Sequence, residues 1–211
     1  MININALNEK ITNRYEEESS MNCSLGCGNT LENLDVRKGE TILDLGCGRG
    51  EETILMARMT GLDGKAIGLD LTKEMVSVAI DRATFENIAN AVFVQGDIEN
   101  LPFSENHFDG VASNCVINHA KDKDKVYREI YRVLKPGGRF VVADAVTKYP
   151  LPAEVKNDPE AWAQCYGGSV TEEEYMKAIT NAGFSTIDIL DKREYLKNGY
   201  DFASLTIRAV K

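Results

Sequence analysis

Residues 41–50 read TILDLGCGRG, and this stretch decides the fold. An apolar strand runs into a turn that carries glycines at Gly46, Gly48 and Gly50. Glycine adopts positive φ without a Cβ penalty and lets a ligand lie against the backbone. Because a helix is expected from Glu51 onward, the strand, the glycine turn and the helix N-terminus together predict a nucleotide site.

An acid inside the motif narrows the ligand. Asp44 stands two residues before the first glycine, so the stretch reads D-x-G-x-G-x-G. Dinucleotide sites instead have G-x-G-x-x-G. The D-x-G-x-G-x-G pattern resembles that of class I S-adenosylmethionine (SAM) methyltransferases. A tight strand–helix turn that binds no ligand remains the alternative.

The composition excludes several classes of function. The chain has 211 residues, 43% of them hydrophobic, a length that predicts a single domain. Its net charge of −9 argues against nucleic acid and against an anionic membrane surface. We find neither a signal peptide nor an apolar segment near the ~20 residues that span a bilayer, and therefore expect a cytoplasmic protein. The five cysteines are then expected to be thiols, metal ligands or redox groups.

Strand and helix patterns alternate along the chain. They predict one doubly wound α/β domain. Together with the resemblance to class I SAM methyltransferases, this implies a Rossmann-like class I methyltransferase fold: a seven-stranded, mostly parallel sheet with the last strand antiparallel and helices on both faces. Residues 1–35 are expected to form a helical and loop extension, and 36–211 the methyltransferase domain. The last strand, about 202–210, has the alternation of a half-exposed strand. The helices 51–60 and 73–84 are expected to bury Ile54, Leu55, Met59, Met75, Val76, Ala79, Ile80 and Ala83.

Polar residues at the strand ends suggest how the cofactor is held. Asp70 ends the second strand and lies 20 residues after Gly50. This is the usual place for an acid that accepts hydrogen bonds from ribose hydroxyls. Asp97 ends the third strand, where it is placed to accept from an adenine amino group beside the backbone N–H of Ile98. Asn114 ends the fourth strand at the ligand crevice. We add Leu71 and Met75 to the predicted cofactor-binding residues; core packing is an equally good interpretation of Met75.

The cysteines bear on the methyl acceptor. Cys27 lies in an N-terminal loop, Cys115 follows the fourth strand, and Cys165 lies in the long irregular segment 147–169. Three cysteines on loops at one sheet edge suggest a soft, thiophilic ligand, although each alone is more often a small buried apolar residue. The chain lacks the CxxC pairs typical of structural zinc sites. Cys47, within the glycine turn, is interpreted as a packing residue.

Several stretches together resemble the arsenite (As(III)) SAM methyltransferases. The matching stretches are GCGN (26–29), ILDLGCGRG (42–50), GLDLTKEM (68–75), VQGDIENLPF (94–103), SNCVIN (113–118), REIYRVLKPGGRFVVAD (128–144) and WAQCYGGSVTEEEY (162–175). SNCVIN and the Cys-x-Gly-Gly segment are the most specific. The resemblance implies that Cys27, Cys115 and Cys165 bind arsenic as thiolates. It places Asp44, Gly46, Gly48, Asp70, Asp97 and Ile98 on the SAM positions of the family.

The implied reaction transfers a methyl group from SAM to thiolate-bound arsenite, or to its complexes with small thiols. A cellular thiol reductant completes the cycle, and Cys23 is the only candidate for a relay thiol. No general base is required, so His107 and His119 are interpreted as surface or loop residues without a catalytic partner, although His119 is close enough to Cys115 to touch the acceptor. Trp162 either closes the site or anchors its loop. A SAM-dependent methyltransferase of a small organic acceptor and a non-catalytic arsenical-binding protein remain the alternatives.

Overall fold

The computed structural model of the protein describes residues 29–211. The predicted N-terminal helix and Cys23 and Cys27 lie outside this part. The strands are β1 (Thr41–Leu45), β2 (Lys65–Asp70), β3 (Ala91–Gln95), β4 (Phe108–Asn114), β5 (Leu134–Thr147), β6 (Thr186–Lys197) and β7 (Tyr200–Val210). The helices are α1 (Thr30–Leu34), α2 (Glu51–Thr60), α3 (Lys73–Phe85), α4 (Lys123–Val133), α5 (Ala153–Lys156), α6 (Pro159–Ala163) and α7 (Glu172–Asn181), with a 3-10 turn at Ile117–His119.

All seven strands form one sheet in the order β3-β2-β1-β4-β5-β7-β6. Strand β1 pairs in parallel with β2 and β4, and the same sense continues to β3 and β5. Strand β7 runs antiparallel to both β5 and β6. This confirms the predicted sheet. Because the chain turns outward in opposite directions from β1 and β4, the carboxyl ends of these strands border the crevice where such sheets bind ligands.

Helices cover both faces of the sheet, as predicted. On one face, Leu43, Val111 and Val142 pack in a core that includes residues of α4 and α7. On the other face, Ile42 and Val141 pack in a core with residues of α1 and α2. Successive strand residues therefore serve opposite cores, which is why the central strands are continuously apolar. Among the helices of residues 29–211, none combines the length and apolar character needed to cross a membrane.

Helix boundaries follow local signals in the sequence. A capping box is present at α7, where Thr171 Oγ1 accepts from the Glu174 backbone N–H and the Glu174 carboxylate accepts from the Thr171 backbone N–H. Gly50 precedes α2 with φ +77°, and Gly61 ends it with φ +70°. Thr72 stands before α3, but its side chain makes no capping hydrogen bond.

Three predicted inward side chains point outward instead. Leu55 and Met59 of α2 are 42% and 40% exposed, and Ile80 of α3 is 46% exposed. The buried face of α2 includes Ala57 and Thr53, whose small side chains let the helix approach the sheet closely. Of the three residues predicted to face inward on α2, only Ile54 is therefore buried.

The prediction for the last strand was also wrong in one respect. Ser204 and Thr206 are buried, not half-exposed. Strand β7 is an interior strand with a neighbour on each side, and α1 contacts it. Strand β5 contains an irregularity at Pro136-Gly137-Gly138, where Gly137 has φ +79°.

The proposed boundary after residue 35 stays a prediction. Leu34 of α1 is fully buried and belongs to the same core as Ile42 and Val141. The Arg139 guanidinium donates to the carbonyl oxygens of Leu34 and Asp35. The described part of the extension is therefore joined to the sheet by both apolar packing and hydrogen bonds.

Candidate active site

The glycine turn lies at the carboxyl end of β1 and is fixed by β2. The backbone N–H groups of Gly46 and Cys47 both donate to the Leu69 carbonyl oxygen, at 2.7 and 3.0 Å. Gly46 has φ +69°, and a Cβ placed on it would lie 2.2 Å from a methyl group of Val116. A Cβ on Gly48, with φ +50°, would meet nothing within 4 Å. Gly46 is thus required for packing, whereas Gly48 borders open space.

Asp70 is held against this turn by backbone donors. Its two carboxylate oxygens accept from the N–H groups of Gly48 and Thr72, each at 2.9 Å. Burial raises the pKa of Asp70 above its usual value. A carboxylate has about four acceptor positions, so Asp70 retains acceptor capacity for a ligand while its orientation is fixed by the backbone.

Asp44 lies beneath the turn, buried at the end of β1. Its carboxylate accepts from Thr53 Oγ1 at 2.6 Å. Burial, with a smaller contribution from the charges of Glu52 and Asp70, raises the pKa of Asp44 to about 7, against the lowering effect of the hydrogen bond from Thr53. Three carboxyl groups therefore surround the glycine turn. Such a site favours a cationic ligand over a phosphate, because the negative charges of the carboxylates would repel an anionic phosphate group.

Glu52 was not singled out from the sequence. One of its oxygens accepts from Thr30 Oγ1 at 2.8 Å, and the other accepts from Asn114 Nδ2 at 3.1 Å. It thereby connects α1, α2 and the end of β4 around the turn. Its position as the second residue of the helix after the glycine turn is a signal that sequence reasoning could have used.

The remaining predicted cofactor residues lie at the ends of β2 and β3. Asp97 is exposed, and its Oδ1 accepts from the Glu99 backbone N–H at 2.8 Å. Ile98 is half-buried, Leu71 is 39% exposed and Met75 is buried. With Asn114 at the end of β4, they follow the parallel strands β1–β4, whose carboxyl ends meet at one edge of the sheet.

Cys47 packs as predicted. It lies in a buried cluster with Ile54, Val76 and Phe93. Burial raises the pKa of its thiol well above the usual value. A protonated thiol in an apolar cluster is a poor nucleophile and a poor ligand, which separates Cys47 from the chemistry.

Cys115 and Cys165 share an unusual backbone conformation. Cys115 has φ +59° and Cys165 has φ +62°. Every other non-glycine residue with positive φ in residues 29–211 is an aspartate or an asparagine, the types that tolerate this region best. Residues held in such conformations concentrate at functional sites. Cys115 is buried, its N–H donates to the Ala143 carbonyl oxygen at 2.8 Å, and it is disulfide-bonded.

His119 contacts Cys165. Its Nε2 lies 3.1 Å from Cys165 Sγ, and the imidazole is half-buried. The expectation of a surface or loop residue did not include this contact, because Cys165 is 46 residues away in sequence. His107 is exposed, as predicted, and its ring packs edge-on against Phe108.

The two cysteine-bearing segments interlock. A Cβ on Gly168 would lie 2.0 Å from the Asn118 carbonyl oxygen. Lys123 Nζ donates to the Gly168 carbonyl oxygen at 2.6 Å, and burial lowers the pKa of this lysine to about 8. The segments SNCVIN and Cys-x-Gly-Gly are thus parts of one assembly, in which Gly168 allows a close approach that no other residue permits.

Trp162 anchors the loop. Its Nε1 donates to the Lys156 carbonyl oxygen at 2.9 Å. A Cβ on Gly167 or Gly168 would lie 2.7 or 2.6 Å from the indole ring. The indole is 9% exposed. Of the two roles expected for Trp162, the contacts support anchoring.

Asp144 holds the segment that follows Cys115. Its carboxylate accepts from the Asn118 side-chain amide at 2.7 Å, from the Asn118 N–H at 3.1 Å, from the Ala145 N–H at 2.9 Å and from Tyr175 Oη at 3.3 Å. Burial raises the pKa of Asp144 to about 6. This network fixes the loop between Cys115 and His119 to β5 and α7.

Within residues 29–211, no three histidine, cysteine, aspartate or glutamate side chains come together in a way that would hold a metal ion. The predicted set of three cysteines includes Cys27, which lies outside this part. The described residues therefore contribute Cys115 and Cys165, with His119 beside the second.

Comparison with known proteins identifies the family. Residues 36–183 match the model of the methyltransferase domain family. The chain belongs to this family. The methyltransferase domain has the fold of the class I SAM-dependent methyltransferases, as the strand order and the antiparallel β7 indicate.

Two relatives combine the fold with a stated activity. An arsenite methyltransferase of Halobacterium salinarum is 39% identical over 170 residues, which cover 81% of this chain and 44% of the relative. The crystal structure of an arsenic(III) SAM methyltransferase from Chlamydomonas reinhardtii has a TM-score of 0.80 and 28% identity, covering 98% of this chain and 73% of that one. The chain spans about half the length of the arsenite methyltransferases it matches, 44% to 49%.

A second group of relatives is named for the methylation of a different acceptor. A ubiquinone/menaquinone biosynthesis C-methyltransferase, UbiE, of Escherichia coli is 31% identical over 180 residues, covering 75% of this chain and 72% of the relative. Because relatives named for two different methyl acceptors resemble the chain, the acceptor has to be argued from the site.

Proposed function

We propose that the chain transfers a methyl group from SAM to thiolate-bound trivalent arsenic and releases methylated arsenicals and S-adenosylhomocysteine. The observation that carries this proposal is the placement of Cys115 and Cys165. Both have strained backbone conformations, and the loops that carry them interlock through Gly168 and Asn118. The similarity to arsenite methyltransferases supports the same acceptor.

The residues around the glycine turn fit SAM. The cofactor carries a positively charged sulfonium and an α-ammonium group, and the turn is surrounded by the carboxyl groups of Asp44, Glu52 and Asp70. Gly48 borders open space against which a ligand can lie. Asp70 is oriented to accept from ribose hydroxyls, and Asp97 with the backbone N–H of Ile98 receives the adenine. Leu71, Met75, Gly46 and Asn114 complete the wall of this site.

SAM, when bound, would supply an electrophilic methyl group to the lone pair of trivalent arsenic. This nucleophile carries no proton that has to be removed. The chain holds the arsenic with Cys115, Cys165 and Cys27. Thiolates are soft ligands and suit a soft metalloid centre, and three of them leave the arsenic lone pair unshared. When the arsenic is held beside the cofactor, methyl transfer no longer depends on a bimolecular encounter. Such positioning accelerates reactions strongly, because the effective molarities of well-oriented groups are large. The rigid contacts of Asn118, Gly168 and Asp144 serve this positioning.

A thiol reductant is part of the proposal. Arsenic that gives up its lone pair rises from the +3 to the +5 oxidation state, and thiols return it to +3. Cys115 is disulfide-bonded in the structure and must be reduced before it binds arsenic. Both requirements fit a cytoplasmic location, where thiols are kept reduced. The net charge of −9 supports a small-molecule substrate and not nucleic acid.

A small organic acceptor is the second candidate. The similarity to the C-methyltransferase UbiE favours it. In that case the thiols of Cys115 and Cys165 are packing groups, and their replacement by serine leaves methyl transfer intact.

The test compares acceptors directly. Reduced protein is incubated with SAM and a small thiol, together with arsenite or with a quinone precursor, and S-adenosylhomocysteine is measured. We expect product that depends on arsenite. Turnover with the quinone precursor alone supports the second candidate. Stoichiometric arsenite binding without S-adenosylhomocysteine identifies a non-catalytic binding protein.

A further inference from the structure

His119 and Cys165 form a pair that the proposed methyl transfer does not use. The imidazole Nε2 lies 3.1 Å from Cys165 Sγ, within hydrogen-bond distance for sulfur. His119 ends the 3-10 turn that follows Cys115, and this turn is fixed through Asn118 to the Asp144 carboxylate. The Cys165 side is fixed by Lys123 at Gly168. Rigid elements therefore position both members of the pair.

Arsenite reaches a thiol site as a neutral hydroxide. Binding by a cysteine thiol exchanges ligands: an As–S bond forms, an As–O bond breaks and water leaves. Hydroxide is a poor leaving group, so the exchange requires a proton at the departing oxygen. The thiol loses a proton in the same event. A group beside the sulfur that accepts one proton and delivers it to the oxygen is suited to this step.

We propose that His119 is this group: its Nε2 accepts the proton of the Cys165 thiol and passes it to the hydroxyl that leaves arsenic. The balance is Cys165 S–H plus As–OH giving Cys165 S–As plus water, with arsenic at +3 throughout and no net change at the imidazole. This inference rests on the proposed function, and it makes His119 a catalytic residue for arsenic loading, a step that precedes methyl transfer.

The surroundings of His119 suit a transient positive charge. Asp70 and Asp144 are close enough that a charge on His119 lowers the pKa of both carboxyl groups. By reciprocity, their negative charges stabilise the imidazolium. Histidine is the side chain whose ordinary pKa lies closest to cellular pH, which suits the type of residue for proton transfer.

Two variants separate proton transfer from positioning. His119→Gln keeps a polar group that can hydrogen-bond Cys165 but does not relay protons, whereas His119→Leu removes both functions. His107→Gln is the matched control, because His107 is exposed and packs on Phe108, away from Cys165. The chain has a single tryptophan, Trp162, which packs on the Cys165 loop and reports arsenic binding by its fluorescence.

The experiment mixes reduced protein with arsenite in a stopped-flow instrument. We expect His119→Gln and His119→Leu both to slow loading by about 100-fold, the lower range for acid–base catalysis, while His107→Gln loads at the wild-type rate. Loading from an arsenic–glutathione complex should be slowed less, since a thiolate leaves more readily than hydroxide. Wild-type loading rates in His119→Gln would overturn the proposal, whether or not His119→Leu is slow.

A measurement without arsenic keeps this proposal distinct from the proposed function. The alkylation rate of Cys165 by iodoacetamide, followed by peptide mass spectrometry, is expected to fall in both His119 variants and to stay unchanged in His107→Gln. If wild-type protein does not bind arsenite, both proposals fail. If it binds and methylates arsenite while both His119 variants load normally, only the role of His119 fails.

Discussion

Gly168 lies against the backbone carbonyl of Asn118 so closely that a Cβ at Gly168 would be 2.0 Å from that oxygen. The contact joins the two segments that carry Cys115 and Cys165. A backbone atom cannot move aside as the end of a side chain can. The absence of a Cβ at Gly168 therefore determines how closely the two segments pack.

Gly168→Ala should separate the two loops. We expect a loss of about 1 to 3 kcal/mol in the free energy of unfolding, the usual cost of overpacking, and weaker arsenite binding. Gly110→Ala is the matched control, because a Cβ there meets only side-chain ends, those of Ile42, Leu34 and Arg139. Urea unfolding and arsenite titration measure both variants. An alanine at 168 that changes neither quantity contradicts the role given to this contact.

The backbone strain at Cys165 predicts that a glycine at this position gives a more stable protein than an alanine, which reverses the usual order. In the middle of a helix or strand, glycine makes a protein less stable than alanine does by about 0.5–1 kcal/mol. At φ +62° the order should invert, because glycine has no Cβ to oppose this conformation. We expect Cys165→Gly to be more stable than Cys165→Ala in urea unfolding, while both lose arsenite binding. Greater stability of the alanine variant would show that the position is not strained.

Asp144→Asn should loosen the segment between Cys115 and His119. The amide that replaces one carboxylate oxygen faces the donors of Asn118 and Ala145, and each buried donor left unsatisfied costs about 1–3 kcal/mol. We expect a marked fall in unfolding free energy and slower alkylation of Cys165. Tyr175→Phe removes a single, longer hydrogen bond and should cost less. Equal stability losses in the two variants would contradict the central place of Asp144.

The acid beneath the glycine turn gives a pH dependence with a definite sign. The pKa of Asp44 is about 7 in the folded protein, above the ~3.9 of an unfolded chain. Between these values the folded state binds more protons, so this contribution to stability is complete below pH ~4 and is lost as the pH rises to about 7. Asp44→Asn keeps an acceptor for Thr53 and removes the titration.

The measurement is urea unfolding of wild type and Asp44→Asn in the absence of SAM, across this pH range. The stability of wild type relative to the variant should decline from pH 4 to 7 and then stay constant. Taking the difference cancels the effects of Asp144, whose pKa is also raised, and of Glu129, whose pKa is lowered. A difference that rises with pH would mean that Asp44 is ionised in the folded protein.

The elements and the sheet were predictable because their signals are local. The glycine turn, the capping box at Thr171 and the apolar face of α4 each depend on residues within a few positions of one another. The buried side of α2 was only partly predictable from large apolar residues, since Ile54 is buried as predicted but Leu55 is 42% exposed and the small residue Ala57 is buried. Helix orientation follows from how the chain leaves the glycine turn, which is a tertiary property.

The candidate site was predictable only in part, for a similar reason. Asp44, Asp70 and Asn114 end parallel strands, so their convergence follows from the fold. The contact of His119 with Cys165 and the packing of Gly168 on Asn118 join segments far apart in sequence. The sequences of the motifs SNCVIN and Cys-x-Gly-Gly do not indicate that they contact each other. A glycine pair in a loop has the same sequence whether it is packed or exposed.

The central claim is that the thiols of this chain hold the arsenic that receives the methyl group. The most direct measurement is arsenic speciation after incubation of reduced protein with SAM, a small thiol and arsenite, for wild type, Cys115→Ser and Cys165→Ser. We predict methylated arsenic with wild type, and little or none with either variant. Wild type that yields no methylated arsenic, or serine variants that yield as much as wild type, would contradict the account.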